Sequence, residues 1–131
     1  MAIITASIGT NHYQTTLSSA SNTYIADEPV DMGGADKGFS PSELLASALA
    51  TCTCVTLRMY ADRKGWPLDD VRTEVTFTRD STTNSSDFKR SISLVGALSE
   101  EQRARLLVIA NGCFIHKTLS NPIRITTGLE S

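Results

Sequence analysis

The sequence lacks the features that mark several common classes of protein. Its 131 residues carry 14 acidic and 12 basic side chains, and this net charge of −2 argues against a nucleic-acid-binding protein. The N-terminal segment MAIITASIGT has no basic region and no long apolar run, so a signal peptide is not expected. No segment approaches the apolar length that crosses a bilayer. We therefore expect a cytoplasmic protein without membrane association.

Motifs for bound cofactors and metals are also missing. Three cysteines are too few for a structural disulfide framework, and cytoplasmic thiols are reduced by default. No glycine-rich phosphate loop and no serine nucleophile elbow is present. A metal site would have to use Cys52, Cys113 and His116, with His12 as an optional fourth ligand, but zinc ligands usually occur in tighter pairs. We expect neither a metal nor a bound cofactor.

The pattern of elements predicts an α+β fold in one domain over residues 1–131. Residues 3–8, 12–17 and 23–26 are rich in Thr, Ser, Ile and Tyr, which is typical of short strands. Residues 27–39 contain proline and glycines without periodicity and predict a loop. Residues 71–78 alternate between apolar and polar side chains. They should pair with residues 88–94 as a long hairpin across a polar loop at 80–87.

A long central helix has the clearest local signal. Ser40, Pro41 and Glu43 form a capping-box start with proline at the first helical position. Apolar residues then recur at helical spacing until Gly65 and Pro67 end the run.

Residues 46–54 of this helix carry no charge, and an apolar helix of this kind is expected to be buried on all sides. One small sheet cannot cover it, so burial against a second copy in a symmetric homodimer is the simplest arrangement.

The C-terminal part predicts further helices. Ser99 and Gln102 form a second capping box, and Gly112 is expected to end that helix in a left-handed cap. Residues 113–119 should form one or two more helical turns. Pro122 stops them, and residues 123–127 are expected to make a closing strand.

The three cysteines differ in their expected roles. Cys52 lies in the middle of the apolar helix, where a thiol can be either a small apolar side chain or a reactive group. Cys54 points about 200° away, so the two cannot form a disulfide within an intact helix, and packing is expected for Cys54. Cys113 begins a short helix whose positive end favours a thiolate, and His116 and Lys117 could add positive charge. Packing beside the turn is an equal alternative for Cys113.

Two motifs resemble the OsmC/Ohr family. One is GGADKGFSPSELL at residues 33–45, followed by ALATC ending at Cys52, which is similar to the family's glycine loop, helix start and mid-helix cysteine. The other is CFIHKTL at residues 113–119, which resembles the family's second cysteine segment. The order of elements is also similar, so the resemblance spans nearly the whole chain.

The resemblance implies an intertwined homodimer that reduces peroxides through thiols in oxidative stress defence. Carried over by position, Cys52 is the peroxidatic cysteine and Cys113 the resolving one. An external dithiol restores both thiols, and no bound cofactor is required.

The sequence differs from the family's peroxidases in two places. Those members use an arginine of the N-terminal strands to lower the thiol pKa, whereas the first arginine here is Arg58. They also have a glutamate directly after the proline, where this chain has Ser42 and places Glu43 one residue later. Lys37 or a later arginine would have to take over. The alternative function is a non-catalytic dimer that binds a small apolar molecule at the subunit interface.

Overall fold

The computed structural model describes residues 1–130, which form an α+β fold as predicted. A three-stranded antiparallel sheet has the order β1-β2-β3, and a two-stranded antiparallel hairpin is formed by β4 and β5. The strands are β1 (Thr5–Ile8), β2 (Thr15–Ser18), β3 (Thr23–Ala26), β4 (Asp70–Asp80) and β5 (Ser85–Val95). The helices are α1 (Pro41–Lys64), α2 (Glu100–Ala110) and α3 (Phe114–Leu119), with a 3₁₀ turn at Val30–Met32.

The chain divides into two compact units, of which the first is residues 1–47. A buried carboxylate, Asp27, organises its loop by accepting the backbone N–H groups of Tyr13, Glu28, Ala35 and Lys37. Burial raises the pKa of Asp27, but these four N–H groups together bring the pKa below its ordinary value. Residues 27–39 are thus an ordered loop fixed by one side chain.

The capping box at the start of α1 is present as predicted. The backbone N–H of Ser40 donates to Glu43 Oε1 at 2.8 Å, and the N–H of Glu43 donates to Ser40 Oγ at 3.3 Å. The carboxylate of Glu43 therefore caps the start of α1.

The second unit begins at residue 48 and has its core where α1 and α2 meet. Leu49, Thr53, Leu57 and Ala61 form one buried stripe along α1, because residues four apart share a helix face. The core cluster contains two of them and three further residues: Leu57, Ala61, Leu68, Leu106 and Ala110. Inward side chains of the hairpin, including Val71 and Ile92, pack against this cluster.

The end of α1 follows the prediction. Gly65 adopts a left-handed conformation with φ of 69°. Its N–H donates to Asp62 O, and the N–H of Trp66 donates to Ala61 O. These two hydrogen bonds form a Schellman motif at the end of the helix.

Three local predictions are wrong. Gly112 does not adopt a left-handed conformation; α2 ends at Ala110, Asn111 stays right-handed, and the chain turns directly into α3. Residues 122–130 contain no strand, and Ile123 and Ile125 are exposed. A strand needs a neighbour for its backbone groups, and no strand within residues 1–130 pairs with this segment. The hairpin loop is also shorter than predicted, because β4 and β5 extend into residues 80–87.

Helix α1 is less enclosed than its composition predicts. Outside the buried stripe, Leu45, Val55 and Met59 are 41%, 45% and 59% exposed.

By length and composition α1 could also cross a bilayer, contrary to the expectation from sequence. The core helix of a soluble protein meets the same criterion, and Leu57 and Ala61 are fully enclosed in the core.

Glycine packing in the first unit yields a stability prediction. A Cβ on Gly38 would collide with the backbone carbonyl of Ile25, whereas a Cβ on Gly9 meets nothing within 4 Å. Gly38→Ala should lower the free energy of unfolding by about 1–3 kcal/mol, as overpacking does. Urea unfolding followed by circular dichroism measures the change, with Gly9→Ala as the control near zero. Equal midpoints for the two variants would contradict the packing described.

Candidate functional site

Cys52 is a half-buried residue midway along α1, and its thiol faces the start of α3. Its neighbours are the backbone N–H groups of Ile115 and Phe114, the thiol of Cys113, and the hydroxyl of Thr56 at 4.0 Å. Burial raises the pKa of Cys52, but hydrogen bonds from these groups, led by the Ile115 N–H, bring the pKa below its ordinary value. The surroundings therefore favour the thiolate.

Cys113 is 1% exposed and occupies the N-cap position of α3. Its sulfur accepts the backbone N–H of His116 at 3.4 Å and lies 4.0 Å from Thr53 Oγ1. The turn after α2 carries the sulfur into this position, since the N–H of Cys113 bonds to Ala110 O. The structure thus brings together the two cysteines singled out in the sequence.

A cation that the sequence did not single out lies beside Cys113. Arg90 is half-buried in β5, and its Nη1 donates to Thr53 Oγ1 at 3.0 Å and to Cys113 Sγ at 3.9 Å. Its Nη2 contacts Asn111 Oδ1 at 3.0 Å and His116 Nδ1 at 2.9 Å. Because a guanidinium can only donate, His116 Nδ1 is the acceptor, and a neutral His116 carries its proton on Nε2.

The charge of Arg90 has no carboxylate partner among residues 1–130. The ion pairs within residues 1–130 are Arg58–Asp62 and Arg72–Glu74, and neither involves Arg90. None of its acceptors, Thr53, Cys113, Asn111 and His116, is a carboxylate. A half-buried cation with neutral partners stabilises negative charge that develops on a nearby group.

A signal for Arg90 is present in the sequence. Inward positions of β5 alternate with exposed ones, and Phe88, Arg90, Ile92 and Leu94 share the less exposed face. An arginine among apolar residues at period-two spacing departs from the pattern of a half-buried strand. Its partners Thr53 and Asn111 have no comparable signal, because their roles arise only when β5, α1 and the end of α2 meet.

The other candidate residues take structural positions. Cys54 donates to Thr73 Oγ1 at 3.3 Å and lies 3.8 Å from Val71 O, so it packs against β4 as expected. All three cysteines are free thiols. The backbone N–H of Lys37 binds Asp27 in the first unit. Within the part of the chain that the structure describes, no group of three or more His, Cys, Asp or Glu side chains could hold a metal ion.

Together, the fold and the site define an α+β domain with two neighbouring thiols. The model of the OsmC-like protein family matches residues 34–128, and the chain belongs to this family. No curated protein matches the sequence.

Several solved structures share the fold. An osmotic stress induced and detoxification response protein from Psychrobacter arcticus is 22% identical with a TM-score of 0.77, covering 90% of this chain and 88% of that chain. An OsmC-like protein from Mycoplasma pneumoniae is 23% identical with a TM-score of 0.77, covering 92% and 87%. The organic hydroperoxide resistance protein OhrB of Bacillus subtilis is 19% identical with a TM-score of 0.62, covering 90% and 89%.

The environment of Cys52 predicts the pH dependence of its reactivity. Only the thiolate is alkylated rapidly, and a lowered pKa keeps Cys52 ionised at lower pH than an ordinary thiol. Iodoacetamide labelling resolved by peptide mass spectrometry should therefore reach its half-maximal rate at lower pH in folded protein than in urea. The urea-unfolded chain is the control for the same residue. A higher midpoint in the folded protein would show that burial outweighs the hydrogen bonds.

Proposed function

We propose that this protein is a cytoplasmic thiol-dependent hydroperoxide reductase of the peroxide stress response, with Cys52 as peroxidatic and Cys113 as resolving cysteine. The observation that carries the proposal is that the Cys113 thiol lies near enough to hydrogen-bond the half-buried Cys52 thiol. We expect a disulfide between them to form without a large rearrangement of α1 and α3. The description of OhrB as an organic hydroperoxide resistance protein agrees with this activity.

In the first step the Cys52 thiolate attacks the terminal oxygen of a hydroperoxide. The O–O bond breaks, Cys52 becomes a sulfenic acid, and the alkoxide leaves and takes up a proton as the alcohol. The N–H groups of Ile115 and Phe114 hold the thiolate before attack. Cys52 thus supplies the two electrons that reduce the peroxide.

In the second step the sulfur of Cys113 attacks the sulfenic sulfur of Cys52. A disulfide forms, and hydroxide leaves and is protonated to water. The guanidinium of Arg90, 3.9 Å from Cys113 Sγ, stabilises the attacking thiolate. An external dithiol then reduces the disulfide by thiol–disulfide exchange and is itself oxidised, which returns both cysteines to thiols.

The proposal includes a homodimer. Val55 and Met59 expose apolar surface on α1, and Leu107 and Val108 do so on α2. Adjacent apolar side chains of this kind are suited to an interface with a second copy.

Oxidation of reduced protein tests the two cysteine roles. One equivalent of cumene hydroperoxide should remove two thiols and two hydrogens from the intact mass, through a Cys52–Cys113 disulfide. Cys52→Ser should abolish peroxide consumption, and Cys113→Ser should stop at a sulfenic acid that dimedone traps on Cys52. Cys54→Ser is the control that should retain the disulfide. Unchanged peroxide consumption by Cys52→Ser would refute the role of Cys52, and an absence of peroxide consumption by the unmodified protein would favour the ligand-binding alternative.

The contribution of Arg90 is tested separately. Arg90→Met should slow conversion of the sulfenic acid to the disulfide about tenfold or more, because a charge-assisted hydrogen bond contributes about 1.5–3 kcal/mol. Stopped-flow kinetics with excess peroxide measures this step. Arg72→Met, on the exposed side of the same hairpin, is the matched control. Equal rates for the two variants would exclude a role for Arg90 in resolution.

A further inference from the structure

A second concave site adjoins the thiol pair on the side of Arg90. It encloses about 260 Å³ and lies entirely within the second unit. Its walls combine apolar and polar side chains: Leu49, Phe88 and Leu119 on one hand, and Ser86, Arg90, His116 and Ser120 on the other. Of the residues that line this cavity, the reaction proposed above uses Arg90 alone.

Two hydrogen-bond donors of the cavity, one on Arg90 and one on His116, have no acceptor among residues 1–130. The contacts of the guanidinium with residues 1–130 run through Nη1 and Nη2, and the Nε–H has no acceptor among these residues. That nitrogen is not buried, since every buried side-chain N or O atom in these residues has a partner. His116, whose Nδ1 accepts from Arg90, carries its proton on Nε2, for which residues 1–130 again provide no acceptor.

The charge of Arg90 and the apolar lining of the cavity together indicate the class of ligand. The cation has no carboxylate partner within residues 1–130, so an anion would supply the missing counter-charge. Carboxylates accept from guanidinium and imidazole N–H groups in charge-assisted hydrogen bonds. The apolar wall of Leu49, Phe88 and Leu119 suits a short hydrocarbon chain attached to that head group.

We propose that this cavity binds a small monocarboxylate with an apolar tail, whose carboxylate contacts Arg90 and His116. The site is distinct from the thiol pair but shares Arg90 with it. A bound carboxylate would partly neutralise the guanidinium that contacts Cys113 through Nη1, which couples occupancy of the cavity to the thiols. Binding itself does not require peroxidase activity, so this proposal and the proposed function can fail independently.

Titration of the isotope-labelled reduced protein with hexanoate tests the site by amide NMR. Shifts should saturate and centre on residues 86–90 and 116–120. Acetate lacks the tail, and hexylamine reverses the charge, so both should bind about tenfold or more weakly. Equal binding of acetate would refute the role of the apolar wall, and equal binding of hexylamine would refute an anion site. Failure of hexanoate to shift these amides would overturn the proposal.

Variants of Leu119 test the cavity without changing Arg90, so their result does not depend on whether Arg90→Met folds correctly. Leu119 is half-buried and lines the cavity. Leu119→Lys should tighten hexanoate binding and Leu119→Glu should weaken it, because the new charge lies beside the carboxylate. Arg90→Met should reduce affinity about tenfold or more, with Arg72→Met as the control. The same affinity in Leu119→Lys and Leu119→Glu would show that hexanoate binds elsewhere.

Discussion

The site depends on one guanidinium placed among neutral groups. Arg90 joins β5 to α1 through Thr53, to the end of α2 through Asn111, and to α3 through His116 and Cys113. A half-buried cation without a carboxylate costs desolvation energy that neutral acceptors offset only in part. Its neighbours therefore gain when they become negative, and the nearest group able to do so is the thiol of Cys113.

The elements around Arg90 follow from local chemistry that is visible in the sequence. The Ser40 and Ser99 capping boxes set the starts of α1 and α2, and Gly65 sets the end of α1. Alternation of side chains set the face of β4 that turns inward, and β4 pairs with β5. These features involve contacts within a few residues, so sequence patterns predicted them, and the resemblance of two motifs to the OsmC/Ohr family was confirmed by the family match.

The remaining features depend on contacts between distant residues. The partners of Arg90 come from α1, the end of α2 and α3, and no spacing rule connects them. The strand expected at residues 123–127 has the right composition but no neighbour, and pairing decides whether a strand forms. Gly112 is a similar case: Asn111 stays right-handed and α3 begins soon after α2, so Gly112 does not take the left-handed conformation that an isolated helix end would favour.

The two thiols are held in different ways, and this difference supports the order of the proposed steps. Cys52 is half-buried and its thiolate is favoured by backbone N–H groups, so a peroxide can reach a sulfur that is already nucleophilic. Cys113 is 1% exposed, so a bulky peroxide cannot approach it, but in the proposed reaction the sulfenic acid on Cys52 would form beside it. A cation next to Cys113 suits this proposed order, in which the enclosed thiol would have to become an anion without water to stabilise it. In the reverse assignment the buried thiol would meet the peroxide first, and the accessible one would lack a cation for resolution.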